Sequence, residues 1–364
     1  TTPPPPLLCS VGTAAAALKM MLPPDGDCDI LIFTHVQVYN ETVQAYYENR
    51  IFDTFKKVCA AYTRTTCGLS FAMRTLKEDS FSDQPVQASV RDLQKKNRIN
   101  HLGVLDAYGT AEEVNAGTAT ILPAVFSTMR NFLGKDTVRN KVFMGIGYFY
   151  YNNSDAWLSL ARTALRIMRR DVDVLVVITT VLSVPTHSQC ITLASNALKS
   201  EDAHSPNMES AFTMIRDRYG TPSVLIAFSL QMGVIMYSLK GLYTKPADAL
   251  YKPCYGFAVT DYSQACQLKA SVAPNEKSMI ATNTHDSSTF FNRTIFQTYD
   301  TIAQMKEKAA VIMSKPNRRG NFTWFLFNVE LTDITRQCVK DGPHKRLKEF
   351  KQFFVSEAQK TAAG

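Results

Sequence analysis

At 364 residues with 45% hydrophobic content, the chain can bury a large core, and it is too long for one ordinary domain unless that domain is a barrel or carries an insertion. Its 40 basic and 32 acidic residues leave a formal charge of +8 but are spread along the chain, which describes a weakly basic solvated surface and excludes a nucleic-acid footprint. The most apolar run, residues 223–239, is interrupted by Ser229, Gln231 and Gly233 and lies near the lower limit of ~17 residues for a bilayer span, so no membrane span is expected.

Residues 1–6 read as a stiff polyproline leader, and TTPPPPLLC is expected to begin a mature chain after removal of a secretion signal. Residues 7–11 form a short apolar strand, and DILIFTHV a second after Pro23 and Pro24. Residues 41–62 are expected as an amphipathic helix, with Ile51, Phe55, Val58 and Tyr62 on one face. CGLSFAM is the next strand, residues 77–100 are polar and helix-tolerant, and HLGVLDAYG is a fourth strand. A helical stretch over about residues 111–133 precedes KVFMGIGYFYY, a strand that closes on four aromatics, and Ser154 caps a further helix. Residues 173–181 and 222–231 are two more buried strands, with a helix near residues 208–218 between them.

The run NFTWFLFNVELTDITRQC, residues 321–338, opens as a strand buried on both faces, and Glu330, Thr332 and Asp333 are expected where it emerges from the core. A soft helix over residues 299–313 precedes it, and another follows over about residues 345–360. Leu7, Ile30, Leu69, Val104, Val142, Val174, Val224 and Trp324 thus mark eight strands with crossover connections, which predicts a (β/α)8 barrel. The barrel is expected over residues 7–242 and 321–364. The excess length at residues 243–320, with β-like stretches at 255–259 and 278–283, predicts an inserted α+β subdomain.

Eight cysteines and four N-x-S/T sequons at Asn40, Asn152, Asn292 and Asn321 point to an oxidising, glycosylating compartment and so to a secreted, extracellular protein. The cysteines carry more of that weight, because about two sequons would arise by chance. Cys59 is placed to bridge to Cys67 across a helix-to-strand turn. The pairing of Cys59, Cys67, Cys190 and Cys254 is only partly constrained, Cys59 with Cys67 and Cys190 with Cys254 being the simplest choice.

Four landmarks carry a resemblance. LLCSV followed by PPDGDCDILIFTH is similar to a first strand L-V-C-Y-F and a second reached through proline and C-T-H-I-I-Y-A-F. FNVELTDI with Cys338 is similar to W-S-L-D-L-D-D-F and a cysteine four residues later. DYSQAC, ending at Cys266, is similar to Y-Y-E-x-C, and YDTIAQMKEK to F-D-D-x-x-S-x-x-x-K. Across nearly its whole length the chain resembles glycoside hydrolase family 18, the chitinases and their inactive chitinase-like relatives. The resemblance implies the barrel and the disulfides Cys9 to Cys28 and Cys266 to Cys338.

It also implies that hydrolysis is lost. Family members carry D-x-x-D-x-D-x-E at the end of the fourth strand, where the glutamic acid protonates the glycosidic oxygen and the neighbouring aspartate orients the substrate's own acetamido nucleophile. With Asp106 on the second aspartate, Tyr108 falls on the third and Thr110 on the glutamate; with KVFMGIGYFYY as that strand, Phe149 and Tyr151 take those places. Glu112 and Glu113 lie just beyond, where the first turn of a helix favours carboxylates, and they define the alternative of an active hydrolase on N-acetylglucosamine-containing glycans with relocated carboxylates. Ser70-Phe71-Ala72-Met73 stands in place of S-x-G-G on the third strand, and Thr179 and Thr180 in place of a Tyr-Asp pair on the sixth. Phe327 replaces the tryptophan that floors the central sugar subsite, and Ser10 a first-strand tyrosine. A pocket of this kind is expected to be uncharged and partly filled.

The six histidines show no metal-ligand spacing, GLSFA fails G-x-S-x-G, and Gly145 and Gly147 lack the third glycine of a dinucleotide loop, so no metal and no cofactor are expected. Asp106, Tyr108, Tyr148, Tyr150 and Phe327, at C-terminal strand ends, are the candidate glycan-binding residues. Lys340, His344, Lys345, Arg346, Lys348 and Lys351, with Leu347, Phe350 and Phe354 packed inward, offer a second candidate contact for a polyanionic glycan. The expected function is non-catalytic binding of a glycan or an extracellular protein.

Overall fold

Parallel strands rich in β-branched and aromatic residues have two faces to cover, and a sheet that closes on itself under a coat of helices covers both without leaving an edge. The computed structural model describes residues 4–12, 22–46, 49–106, 116–147, 166–167, 170–181, 190–199, 207–219, 224–243, 246–265, 288–292, 294–315, 322–333, 336, 338 and 342–363. Within them the strands are β1 (Leu8–Val11), β2 (Ile30–Tyr39), β3 (Thr42–Ala45), β4 (Thr66–Phe71), β5 (Ile99–Val104), β6 (Val142–Gly147), β7 (Val174–Ile178), β8 (Leu225–Gln231), β9 (Val234–Leu239), β10 (Cys254–Thr260), β11 (Ser288–Asn292), β12 (Ile295–Tyr299) and β13 (Phe322–Phe327). The helices are α1 (Asn49–Ala61), α2 (Gln84–Asn97), α3 (Ala116–Leu133), α4 (Met208–Tyr219), α5 (Pro246–Ala249), α6 (Ile302–Ser314) and α7 (Lys345–Ala363). Among the described residues no helix is long and apolar enough to cross a membrane.

The barrel runs β1-β2-β4-β5-β6-β7-β8-β13, and it closes where Leu8 of β1 is in parallel register with Ile30 of β2 on one side and Phe325 of β13 on the other. All eight segments marked in the sequence are barrel strands, in the expected order. The lumen is packed, with Leu8, Ile32, Leu105, Phe143, Val176 and Phe325 in one buried cluster, while alternate residues such as Leu31, Val104 and Met144 join the cluster beneath the helices. Gly103 and Gly145 make this filling possible. A Cβ at Gly103 would collide with the Phe143 carbonyl and ring, and one at Gly145 with the Leu105 backbone.

A second, antiparallel sheet of order β10-β9-β12-β11 lies between β8 and β13 in the chain. Residues 243–320, the segment expected as an insertion, contain β10 to β12 and α6, and β9 joins the same sheet from residues 234–239. Tyr237 is fully buried there against the rings of Phe257 and Phe296. The stretch 278–283, the helix capped by Ser154 and the sequons at Asn152 and Asn321 fall outside the described residues, apart from Arg166 and Ile167 of that helix.

Two expectations are corrected. Residues 42–45 are a strand and not the start of a helix: Asn40 and Glu41, with φ of 46° and 61°, reverse the chain so that β3 pairs back on the end of β2, and α1 begins only at Asn49. Nor does the polar tail of β13 emerge into water. Glu330, Thr332 and Asp333 are all buried, because the chain there passes beneath Tyr262, whose N–H donates to the Leu331 and Thr332 carbonyls.

Disulfides join Cys9 to Cys28, Cys59 to Cys67 and Cys190 to Cys254. Cys338 is also disulfide-bonded, and Cys266, its expected partner, lies outside the described residues. A buried polar core joins the barrel to the second sheet. The Lys308 ammonium on α6 lies 2.8 and 3.0 Å from the two Asp300 carboxylate oxygens and 2.5 Å from the Asn196 carbonyl, and neither member of the ion pair is exposed. Asn196 Nδ2 donates to Asp300 at 3.0 Å, and its Oδ1 accepts the Gln231 N–H at 2.6 Å. Arg346 of α7 donates to the Met232 and Asp300 carbonyls and lies 3.6 Å over the Tyr262 ring. Removing the cation alone leaves a buried carboxylate. Lys308→Met is therefore expected to cost about 3–5 kcal/mol in urea unfolding, and the double change with Asp300→Leu to recover most of it.

Candidate functional site

Parallel strands all point the same way, so their C-terminal ends share one face of the barrel and groups there converge on its axis. Ser10, Thr34, Ser70, Thr179, Ser229 and Gln231 stand at these ends and are 0–2% exposed. Neighbouring strands use up their polar groups. Thr34 Oγ1 donates to the Val11 carbonyl at 3.1 Å, Ser70 Oγ accepts the Leu105 N–H at 2.9 Å, and Thr179 Oγ1 donates to the Ser229 carbonyl at 3.0 Å. Gln231 Oε1 accepts from the Gly233 N–H and from Asn328 Nδ2. The floor of the mouth is thus sealed by strand-to-strand bonds.

Charge gathers on one quadrant of the rim. Asp106 follows β5, and its carboxylate accepts the Met73 N–H at 3.0 Å and stands 3.8 Å from Nε2 of His35, which sits at an irregularity in β2 between Thr34 and Val36. The β2–β3 hairpin returns Tyr46 to the same place, its N–H donating to the His35 carbonyl at 2.8 Å. After β4 the 3₁₀ turn Met73–Thr75 lays the Arg74 guanidinium 4.3 Å over the Tyr46 ring. Burial raises the Asp106 carboxyl above its ordinary range against the opposing charge of His35, and it lowers His35 against the opposing charge of Asp106. Both side chains still reach the surface, at 19% exposure for His35 and 21% for Asp106.

Glu330 closes the rim between the last strand and the first. Its Oε1 accepts the Gly12 N–H at 2.7 Å, and its Oε2 is buried without a hydrogen-bond partner among the described residues. Burial pushes this carboxyl up to about 7, against the pull of the Gly12 and Glu330 N–H groups. Position 12 requires glycine, with φ of 109° and room for no Cβ beside the Thr34 carbonyl and Phe33 ring.

The structure places β5 fourth in the ring and β6 fifth, so Asp106 follows the fourth strand and KVFMGIGYFYY is not that strand. Ser70 to Met73 span the end of the third strand, Thr179 and Thr180 follow the sixth, and Ser10 is in the first. Phe327 ends the eighth and is 3% exposed, its ring 4.5 Å from that of Phe325. Tyr108, Thr110, Glu112, Glu113, Tyr148 and Tyr150 lie outside the described residues. Sequence reasoning passes over His35, Tyr46 and Arg74; the available signal is the turn-prone Asn40 between two alternating runs.

On α7, Leu347, Phe350 and Phe354 pack inward as expected. His344 and Arg346 are buried too, Lys351 pairs with Asp29 at 2.8 Å and Lys345 with Glu349 at 3.8 Å, so much of the basic set is engaged within the fold. Lys348 is exposed, and Lys340 lies outside the described residues. Among the described residues no three His, Cys, Asp or Glu side chains converge as a metal site.

The chain superposes on a Group IV chitinase of Ostrinia furnacalis with a TM-score of 0.66 and 12% identity, over 96% of this chain and 100% of that one. The fold is a chitinase fold. A class V chitinase from Nicotiana tobaccum gives a TM-score of 0.67 at 10% identity, over 96% and 99% of the two chains. Human YKL-39, a pseudo-chitinase with retained chitooligosaccharide binding properties, gives 0.65 at 13%, over 95% and 99%. At the level of sequence no family model matches the chain, nor does any curated relative.

Glu330 makes stability depend on pH. With a folded value of about 7 against an ordinary 4.5, the folded state holds the extra proton between them, so stability is full below about 4.5 and falls as pH rises through 7. A shift of this size amounts to about 3 kcal/mol. Glu330→Gln is expected to flatten that decline in the unfolding free energy, and parallel pH curves for the two proteins would count against it.

Proposed function

We propose that the chain is a secreted, non-catalytic chitinase-like protein that binds a glycan at the C-terminal mouth of its barrel. One observation carries the loss of hydrolysis: the fourth strand runs into Asp106, with Tyr108 and Thr110 at the positions where the resemblance calls for an aspartate and the proton-donating glutamate. General-acid catalysis requires a donor whose acidity suits protonation of the leaving oxygen, and a phenol or an aliphatic hydroxyl is a far weaker acid than the carboxylic acid it replaces. Binding is supported by the rim itself, where His35, Tyr46, Arg74 and Asp106 bring donors, acceptors and an aromatic ring together, and by the likeness of the fold to that of a sugar-binding pseudo-chitinase.

Calorimetric titration with chitotetraose is expected to give saturable binding, while chromatography of the same mixture shows no shorter oligosaccharides. Turnover that disappears in Glu112→Gln or Glu113→Gln would replace this reading with that of a hydrolase with relocated carboxylates. Silence toward chitotetraose and a broad glycan array would leave an extracellular protein as the ligand.

Secretion is supported by the disulfides among the described residues, since such bonds persist in oxidising compartments. Asn40 of the sequon Asn40-Glu41-Thr42 is exposed at the tip of the β2–β3 hairpin, within reach of a glycosyltransferase. In chain secreted from eukaryotic cells, Asn40→Gln is expected to remove the mass of one N-glycan; an unchanged mass would show the site unused.

A further inference from the structure

We infer that the charged quadrant of the mouth selects an anionic saccharide, with Arg74 as the partner of its carboxylate or sulfate. This rests on the reading of the mouth as a glycan site and adds a charge preference to it. Arg74 is exposed, and among the described residues it has neither a hydrogen-bond acceptor nor an ion-pair partner. The guanidinium is nevertheless held in place. Its stacking over Tyr46 at 4.3 Å fixes a side chain that would otherwise lose much rotamer freedom on binding.

Tyr46 is itself held, through its N–H on the His35 carbonyl. Asp106, the nearby carboxylate, does not take the place of an incoming anion. It is occupied by the Met73 N–H and faces His35 at 3.8 Å, and no ion pair joins it to Arg74. A fixed cation beside a sugar-sized set of donors and acceptors thus feels the Asp106 carboxylate only at a distance and keeps its N–H donors open to an incoming anion. The nearby Asp106 carboxylate is engaged by the Met73 N–H and His35, and the chain as a whole is at +8, which favours the approach of an anion. A planar guanidinium meets a carboxylate or a sulfate through paired N–H donors, while Asp106 and His35 are suited to ring hydroxyls.

The test compares three tetrasaccharides by calorimetry at low and high salt: chitotetraose, which is neutral, hyaluronan tetrasaccharide, which carries only carboxylates, and chondroitin sulfate tetrasaccharide, which adds sulfates. At least one acidic sugar is expected to bind about tenfold more tightly than chitotetraose at low salt, and the advantage to shrink as salt rises. Which acidic sugar gains identifies the anion. Arg74→Gln, a change of an exposed side chain, is expected to weaken the acidic sugar about tenfold and chitotetraose far less, erasing most of that advantage with the melting temperature unchanged, and Arg74→Lys to restore only part of it. Equal affinity for neutral and acidic sugars, or an Arg74→Gln protein that keeps the preference, overturns the charge selection and leaves the glycan site standing. Absence of binding by all three sugars overturns the glycan site itself.

Discussion

The molecule depends on a strand of four residues. β1 pairs with β2 on one side and β13 on the other, and without it the parallel sheet would be an open one with two edges. Four residues make few ladder bonds, so the surroundings hold them from every side. The Leu7 N–H reaches Asp29 at 2.7 Å, Asp29 is gripped by Lys351 of the last helix, and the Ser10 carbonyl accepts the Val329 N–H at 3.0 Å. The Cys9 to Cys28 disulfide ties the strand to the segment that leads into its neighbour, and the beginning and end of the chain meet at this closure.

The same closure sets the character of the mouth. Because strand ends are bonded to one another through Thr34, Ser70, Thr179, Ser229 and Gln231, the floor offers few free groups, and recognition is pushed outward to the rim. There the side chains come from four separate segments, the irregular part of β2, the return of its hairpin, the turn after β4 and the residue after β5. The buried pair of Lys308 and Asp300 steadies the place where the second sheet meets the barrel.

Much of this was legible in the residues, and the failures have physical causes. The barrel strands announce themselves because strands buried on both faces are written as unbroken apolar runs, and FTWFLF and VLVVI are hard to mistake. The hairpin was hidden because residues 42–45 alternate weakly and continue into a strongly amphipathic helix, whose signal spreads backward over them. Glu330, Thr332 and Asp333 misled because polarity predicts exposure only when nothing else covers the chain, and here the approach of Tyr262 does. Of the rim cluster only Asp106 was legible, because His35, Tyr46 and Arg74 are joined to it by strand register and turn geometry, which no local pattern encodes.

Phe143, lodged where Gly103 lacks a side chain, limits what this scaffold can become. A larger or smaller residue at either position would jam or hollow the interior, so variants that alter the lumen must change in concert. Exposed rim side chains such as Arg74 face less of this coupling. New specificities can therefore arise on this barrel by single substitutions at its rim without disturbing the packing of its centre.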